Sequence, residues 1–366
     1  MIYVVRLAKE VPMSERLEGI LRVALIGKDI RYVDSLAEFK ALASVGTKAA
    51  FLFAASLPEN GFSVRWMELV SAILADPNAL EGCSGGVIVD GKGELFTKDF
   101  ARHLIFAANM AGCAFPGRPL VEATGDLYNF NTVSRVKGVD HLTAYGDAVR
   151  NLVERLDAFD KEAAREPVSE PEHGAQAESE HVPRILAIHA GNRSTSNSLL
   201  LWGMLKIELA GKAKTSEISI RNGDLVDCRG CGFEKCKHFG ENGECFYGGV
   251  MTDQVYPSLL ACDSLVLVCP NYNDAVGANM SAMFNRLTAL FYNNDFSNKK
   301  IYALIVSGYS GSDILAQQII GAMCCNKGFM LPPRFAMLET ANDPRSILER
   351  PGINQRVVYM ADQMLR

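Results

Sequence analysis

Short apolar runs alternate with helical segments along the whole chain of 366 residues. In the second half, the runs expected to be strands are 185–190, 216–220, 264–269, 301–307 and 334–338. The segments with a helical period are 198–209, 278–292, 313–325 and 357–365. Strands that are apolar throughout are typical of a parallel sheet covered by helices on both faces. The second half is therefore predicted to be a doubly wound α/β domain.

The first half has the same rhythm. Its expected strands are 1–7, 30–35, 48–56, 85–90 and 118–124. Its expected helices are 14–27, 35–46, 64–74, 98–112 and 139–156. A second α/β domain with a parallel sheet is predicted here.

The two halves also align with each other. At an offset of 216, Gly61, Met67, Gly112, Pro116, Arg118 and Thr124 meet Gly277, Met283, Gly328, Pro332, Arg334 and Thr340. At the start, Ile2 matches Ile185 at an offset of 183, so the second half carries about 33 extra residues between its first and third strands. We interpret this as an internal duplication with a gapless register over 48–124, in which only the second copy carries the chemistry.

An acidic segment separates the copies. Residues 160–181 contain seven Asp or Glu residues, two prolines and, apart from Val168, no large aliphatic or aromatic side chain. Such a composition cannot bury enough apolar surface to offset the entropy lost on ordering. We predict domains at 1–159 and 182–366, joined by an extended linker at 160–181.

Composition excludes several classes of protein. A net charge of −5 gives no argument for nucleic-acid binding, which usually needs a basic patch. No apolar run approaches the roughly 18–20 residues that cross a bilayer, and Arg6 interrupts the apolar N-terminus. Ten cysteines suit a reducing compartment, where thiols serve metal binding or redox chemistry. The expectation is a cytoplasmic protein without nucleic-acid or membrane partners.

A polar loop follows the first strand of the second half. Residues 191–198 read Gly-Asn-Arg-Ser-Thr-Ser-Asn-Ser and precede a helix. The N–H groups and dipole at a helix N-terminus favour an anion, and the hydroxyls and Arg193 can donate to phosphate oxygens. The alternative is that these residues only cap the helix. Residues 8–14 of the first half form no such loop, so that copy is not expected to bind phosphate in this way.

Four cysteines cluster in the inserted segment. Cys228, Cys231, Cys236 and Cys245 have the spacing C-x2-C-x4-C-x8-C, with glycines between them that permit tight turns. Four thiolates suit an iron–sulfur cluster or a structural zinc ion, and a reversible dithiol pair is a third alternative. The other cysteines lie in apolar segments and are interpreted as core, with the role of Cys324 and Cys325 open.

Three features together resemble a known family. They are the loop GNRSTSNS, the four cysteines, and the run ACDSLVLVCPNYNDAVGANMSAMFNRLTAL with Arg286 near its end. Over residues 184–340 the chain resembles the NADPH-dependent FMN reductase superfamily, and within it the iron–sulfur flavoproteins. The resemblance implies a flavodoxin-like fold, with FMN at the carboxyl ends of the strands.

The resemblance also implies roles for individual residues. Asn192, Arg193, Ser196, Asn197 and Ser198 would hold the FMN phosphate. Pro270, Asn271, Tyr272 and Asn273 would form the loop beside the flavin ring, and Ser307, Gly308, Tyr309 and Gly311 a third loop. Cys228, Cys231, Cys236 and Cys245 would ligate a [4Fe–4S] cluster.

The chain departs from the family pattern in three respects. Four residues separate the second and third cysteines where two are usual, the last gap is long, and the phosphate loop is one residue short, with Asn192 where serine is usual. The first half lies outside the pattern. Family proteins are dimers or tetramers in which a neighbouring subunit borders the flavin. One hypothesis is that the first half takes the place of that neighbour here. The resemblance also implies a homo-oligomer.

The predicted function is FMN-dependent oxidoreduction. FMN carries such chemistry itself, so no catalytic side chain is assigned. Electrons would come from NAD(P)H, held transiently because no GxGxxG fingerprint is present, or from a ferredoxin-like donor through the cluster. The alternative is a non-catalytic redox carrier or sensor whose cysteines bind zinc or form a dithiol.

Overall fold

The computed structural model describes residues 1–163, 181–192, 194–221, 225–291 and 293–366. The chain divides into unit 1, Met1–His173, and unit 2, Gly174–Arg366. Within the described ranges, no helix is long and apolar enough to cross a membrane.

Unit 1 is a five-stranded parallel sheet with helices between the strands. The strands are β1 (Ile2–Val5), β2 (Ile30–Val33), β3 (Ala50–Leu57), β4 (Ser84–Gly91) and β5 (Leu120–Ala123). The helices are α1 (Glu15–Ala24), α2 (Leu36–Ser44), α3 (Val64–Leu74), α4 (Thr97–Met110), α5 (Asn131–Lys137) and α6 (His141–Ala163). The strand order is β2-β1-β3-β4-β5. Every residue of β3 and β4 is buried, as the continuous apolar runs predict.

Unit 2 repeats this arrangement. Its strands are β6 (Arg184–His189), β7 (Lys214–Ser219), β8 (Ser264–Pro270), β9 (Lys300–Ser307) and β10 (Ala336–Thr340). Its helices are α7 (Asn197–Leu209), α8 (Phe233–Glu241), α9 (Tyr256–Ala261), α10 (Ala278–Arg286), α11 (Thr288–Phe291), α12 (Ser312–Ile319) and α13 (Ile353–Leu365). The order is β10-β9-β8-β6-β7, and all neighbours are parallel.

Both sheets have the strand order 2-1-3-4-5 of the flavodoxin-like fold, which confirms the predicted fold class. The hydrogen-bond register also supports the duplication. Ile2, Ala50 and Ser84 lie in one row across unit 1, and Ile185, Ser264 and Lys300 lie in one row across unit 2.

These rows correct the predicted gapless alignment. Ser84 and Lys300 keep the offset of 216, but Ala50 and Ser264 differ by 214. Unit 2 therefore has two more residues than unit 1 between the third and fourth strands. Since Gly61 and Gly277 already match at 216, the change falls in the loop that leaves the third strand.

The predicted linker starts too early in the chain. Helix α6 continues to Ala163, and Ser84 Oγ donates a hydrogen bond of 2.9 Å to Asp160 Oδ1. Asp160 thus belongs to unit 1, because its carboxylate accepts from the first residue of β4. Residues 164–180 of the predicted linker lie outside the described ranges.

Several helices of unit 2 differ from the prediction. The segment 278–292 is divided into α10 and α11, and α12 gives way to a wider π-helical turn at Ile320–Asn326. The inserted segment between β7 and β8, expected as a loop, contains α8 and α9. These are short helices in glycine-rich sequence, where periodicity is a weak signal.

Helix α13 is tied to the sheet by one ion pair. Arg356 Nη2 donates to Glu339 Oε2 of β10 at 2.9 Å, and the Glu339 side chain is 3% exposed. We expect Arg356→Ala to lower the free energy of unfolding of unit 2 by about 3 kcal/mol, because it leaves a buried carboxylate unpaired. The measurement is chemical denaturation.

The matched control is Lys237→Ala, which removes a pair between two half-exposed side chains, Lys237 and Glu241. Such pairs contribute about 1 kcal/mol or less. Equal losses for both variants would contradict the assigned role of the Glu339 pair.

Candidate functional site

A cavity of about 530 Å³ lies at the carboxyl ends of the strands of unit 2. Four segments line it: the turn from β6 into α7, and the loops that follow β8, β9 and β10. In an open parallel sheet, ligands bind where neighbouring strands lead to opposite faces. Here that point lies between β6 and β8.

Most of the predicted site residues lie in this cavity. Its lining includes Asn192, Ser196, Asn197, Ser198, Pro270, Asn271, Tyr272, Asn273, Gly308 and Tyr309. Ser307 and Gly311 are not part of this lining, but Ser307 Oγ accepts from Asn271 Nδ2 and Gly311 lies against Asp274. Arg193 is outside the described residues. The lining also contains Thr195, Asp274, Val306, Ser310, Ala341 and Asn342, which the sequence reasoning did not assign. The position of Ala341 and Asn342 directly after the fifth strand was the available signal.

The polar loop wraps around the N-terminus of α7. Ser196 is the N-cap residue, and its Oγ accepts from Leu199 N at 3.3 Å and lies 3.0 Å from Ser198 Oγ. Asn192 Oδ1 accepts from the amide and hydroxyl of Ser194. The capping interpretation of this loop is therefore correct for Ser196. It is compatible with anion binding, because the remaining amides of the first turn still point out of the helix.

Two asparagines of the cavity lining each have a side-chain oxygen without a hydrogen-bond donor among the described residues. Asn197 Nδ2 donates to the carbonyls of Ala341 and Asp343, and Asn271 Nδ2 donates to Ser307 Oγ at 3.0 Å and Ser310 O at 2.9 Å. Both Oδ1 atoms are buried and accept no hydrogen bond from the described residues. A buried acceptor without a donor costs roughly 1–3 kcal/mol, so each is suited to a donor on a bound ligand.

The loop after β8 has an unusual backbone. Asn273 and Asp274 both have a φ of 55°, in the left-handed region that Asn and Asp tolerate better than other residues. Tyr272 and Tyr309, which also line the cavity, are 59% and 82% exposed. Their rings are therefore accessible to a planar ligand.

Unit 1 has an ion pair at the corresponding place. Ser14 caps α1 as Ser196 caps α7, and two residues later Arg16 stands where unit 2 has Ser198. Arg16 Nε and Nη2 donate to the two carboxylate oxygens of Asp90 at 2.9 and 3.0 Å, and the Asp90 side chain is 2% exposed. Asp90 thus neutralises the positive charge of the Arg16 guanidinium within the crevice. This arrangement supports the prediction that unit 1 does not bind phosphate as unit 2 would.

The four clustered cysteines lie in the segment between β7 and β8. Cys228 is exposed, the other three are half-buried, and none forms a disulfide. Among the described residues, no three His, Cys, Asp or Glu side chains converge closely enough to hold a metal ion. The donor set fits a thiolate-bound centre in its chemistry, but the thiols are not gathered around one point.

The thiols nevertheless share neighbours. Burial raises the pKa of Tyr256, and the nearby thiols of Cys245, Cys236 and Cys228 raise it further. Burial lowers the pKa of Lys327, while the thiols of Cys228 and Cys236 oppose that shift. A hydrogen bond with Cys231 contributes, after burial, to the raised pKa of Tyr247, which also lies near Cys245. Each of the four thiols thus lies near at least one of Tyr247, Tyr256 and Lys327.

Comparison with known proteins supports the family. Residues 183–343 match the family described as NADPH-dependent FMN reductase. The family match does not extend to the iron–sulfur branch. The curated proteins contain no significant match to the sequence.

The chain is also similar to solved structures. An FMN-dependent NADH-azoreductase from Bacillus anthracis is 10% identical, and the match covers 50% of this chain and 100% of that one with a TM-score of 0.36. RosB with a bound riboflavin-phosphate intermediate is 14% identical, with 50% and 78% covered and a TM-score of 0.39. A WrbA-like flavodoxin from Agrobacterium tumefaciens is 10% identical, with 50% and 98% covered and a TM-score of 0.33.

Gly311 gives a direct test of the cavity wall. Its φ is +83°, and a Cβ atom there would lie 2.1 Å from Asp274 Oδ1. We expect Gly311→Ala to displace the loop after β8 and to weaken FMN binding at least about tenfold, or roughly 1.4 kcal/mol. The measurement is a fluorescence titration with FMN.

The control for this variant is Gly277→Ala. Gly277 has a φ of −56°, and a Cβ atom added there would meet no other atom within 4 Å, so the substitution is expected to leave FMN affinity unchanged. A similar FMN affinity for both variants would show that the loop after β8 takes no part in FMN binding.

Proposed function

We propose that unit 2 binds FMN in the cavity at the carboxyl ends of β6, β8 and β9 and acts as an FMN-dependent oxidoreductase. The observation that carries the proposal is one cavity lined both by a helix N-terminus rich in hydroxyls and by two asparagines with buried, unpaired side-chain oxygens. A ligand with a phosphate at one end and N–H or O–H donors along its length satisfies both.

Each part of the cavity has its own task in this proposal. Ser196, Ser198 and the amides of the first turn of α7 would hold the phosphate, and Asn192 would shape that loop through its bonds to Ser194. Asn197 Oδ1 and Asn271 Oδ1 would accept from donors of the ribityl chain and the ring. Because Gly308 and Gly311 have no Cβ atom, their backbone can lie close to the side chains of Asn342 and Asp274.

The bound FMN would supply the redox chemistry, taking electrons from NAD(P)H or another donor and passing them to an acceptor. The chain's own contribution is binding and orientation. Pro270 starts a loop whose backbone is fixed by Asn271, and this loop with Tyr272 and Tyr309 would limit access to the ring. No acid or base is required of the side chains, and none is assigned.

The cysteine segment favours a second route for electrons. We propose that Cys228, Cys231, Cys236 and Cys245 bind a [4Fe–4S] cluster and that a ferredoxin-like donor delivers electrons through it. Support comes from the free thiols around Tyr256 and Lys327 and from the insertion of this segment in unit 2 alone. The remaining alternative is a redox carrier or sensor in which the thiols bind zinc or form a dithiol.

Ser196 tests the phosphate site. Replacing it by Ala removes a hydroxyl expected to donate to an ionised phosphate, a bond that contributes roughly 1.5–3 kcal/mol. We expect the dissociation constant for FMN to rise by about 10- to 100-fold, measured by quenching of flavin fluorescence.

The matched control is Ser35→Ala in unit 1. Ser35 is also an N-cap serine, and its Oγ accepts from Glu38 N at 3.2 Å. Both variants lose a cap that stabilises a helix by about 1 kcal/mol, but only one faces the cavity. If both bind FMN as the wild type does, the phosphate site lies elsewhere.

The metal content of anaerobically purified protein tests the cluster. We expect about four irons with matching labile sulfide per chain, lost in Cys236→Ser and retained in Cys262→Ala, whose thiol is buried outside the segment. Metal analysis and the visible spectrum provide the measurement. Zinc in place of iron would favour the sensor, and NAD(P)H turnover by FMN-loaded protein would argue against a mere carrier.

A further inference from the structure

A buried arginine lies beside the cysteine segment without a carboxylate partner. Arg286 is the last residue of α10 and is 2% exposed. In the part of the chain that the structure describes, its Nε makes no hydrogen bond, and no acidic side chain pairs with its guanidinium. Removing such a charge from water costs several kcal/mol, so a compensating negative charge is expected nearby.

Arg286 does bind the two ends of the cysteine segment. Its Nη1 donates to the carbonyl of Val226 at 3.3 Å, and its Nη2 donates to the carbonyl of Gly248 at 2.7 Å. Val226 lies two residues before Cys228, and Gly248 lies three residues after Cys245. One planar guanidinium therefore joins the entrance and the exit of the segment that carries all four thiols.

A second contact joins Arg286 to Tyr256, which lies near three of the thiols. Its carbonyl accepts from Tyr256 Oη at 2.6 Å. Tyr256 is buried and neighbours the thiols of Cys245, Cys236 and Cys228, and it also senses the charge of Arg286. Tyr256 therefore hydrogen-bonds to the residue that joins the ends of the segment and lies near three of its four thiols.

Lys327 adds a second cation on the same side. It neighbours Cys228 and Cys236, and its Nζ donates to Thr288 Oγ1 at 2.8 Å, so its hydrogen bond goes to a neutral oxygen. In the described residues, no carboxylate pairs with it either. Arg286 and Lys327 thus place two cations, without acidic partners among the described residues, beside the cysteine segment, where a negatively charged centre would compensate them.

We propose that Arg286 is a positioning residue that closes the cysteine segment and supplies the buried positive charge required by a thiolate-bound centre. The inference rests on the proposed cluster. A cube of four irons and four sulfides bound to four thiolates carries a net negative charge in its usual oxidation states, and that charge sets its potential. Arg286 would stabilise the reduced, more negative state and would keep the segment folded around the centre.

Three variants separate the two roles of Arg286, which are closing the cysteine segment and supplying a positive charge. Arg286→Gln removes the charge and the double contact. Arg286→Lys keeps the charge, but one ammonium group cannot span both carbonyls in the same way. Arg184→Gln removes a half-exposed positive charge at the start of β6 and controls for a change of net charge.

The readouts are iron and sulfide per chain, the rate of iron extraction by a chelator, and the reduction potential of the centre. For Arg286→Gln we expect extraction at least tenfold faster than in the wild type, and a more negative potential. For Arg286→Lys we expect faster extraction with a potential near that of the wild type. Arg184→Gln is expected to match the wild type in all three.

FMN content reports folding independently of the metal. If Arg286→Gln fails to retain FMN, Arg286→Lys alone decides the question. An iron-loaded wild type whose Arg286 variants lose iron no faster would overturn the role of Arg286 and leave the proposed cluster in place. A wild type that takes up no iron would overturn the cluster and the inference together.

Discussion

The parallel pairing of β6 with β8 is the constraint on which the site depends. The chain leaves β6 toward β7 on one side and later builds β8, β9 and β10 on the other, so the loops after β6 and β8 diverge. A crevice opens between them, and the N-terminus of α7 lies at one side. The helix dipole and the unpaired amides of its first turn then favour an anion at that position. The asparagines that follow the neighbouring strands complete the cavity.

The two units show how one sheet can carry different chemistry. Strand order is the same in both, and the rows through Ile2 and Ile185 have the same register. The differences lie in the loops at the carboxyl ends. Unit 1 has Arg16 paired with Asp90 in its crevice and a shorter loop after its third strand, whereas unit 2 has serines and a strained loop at Asn273 and Asp274. The two copies thus share the buried sheet and differ in the loops at the carboxyl ends of its strands.

Sequence reasoning predicted the sheet well because buried parallel strands are apolar throughout, as in β3 and β8. It also located the three loops, since each follows such a strand. It missed Ala341 and Asn342, because no motif marks them. It began the linker too early because the charged residues 160–162 look solvated, whereas Ser84, which is distant in sequence, donates a hydrogen bond to Asp160. It could not reveal that Arg286 joins the ends of the cysteine segment, since that contact depends on tertiary structure.

The central claim is that only the cavity of unit 2 binds FMN. The most direct measurement is the stoichiometry of FMN bound to the intact chain, obtained by titrating flavin-free protein and following flavin fluorescence and absorbance. One FMN per chain is the result that this account predicts, with no bound FMN when the loop before α7 (residues 191–198) is disrupted. Two FMN molecules per chain, or a protein that refuses added FMN, would contradict it.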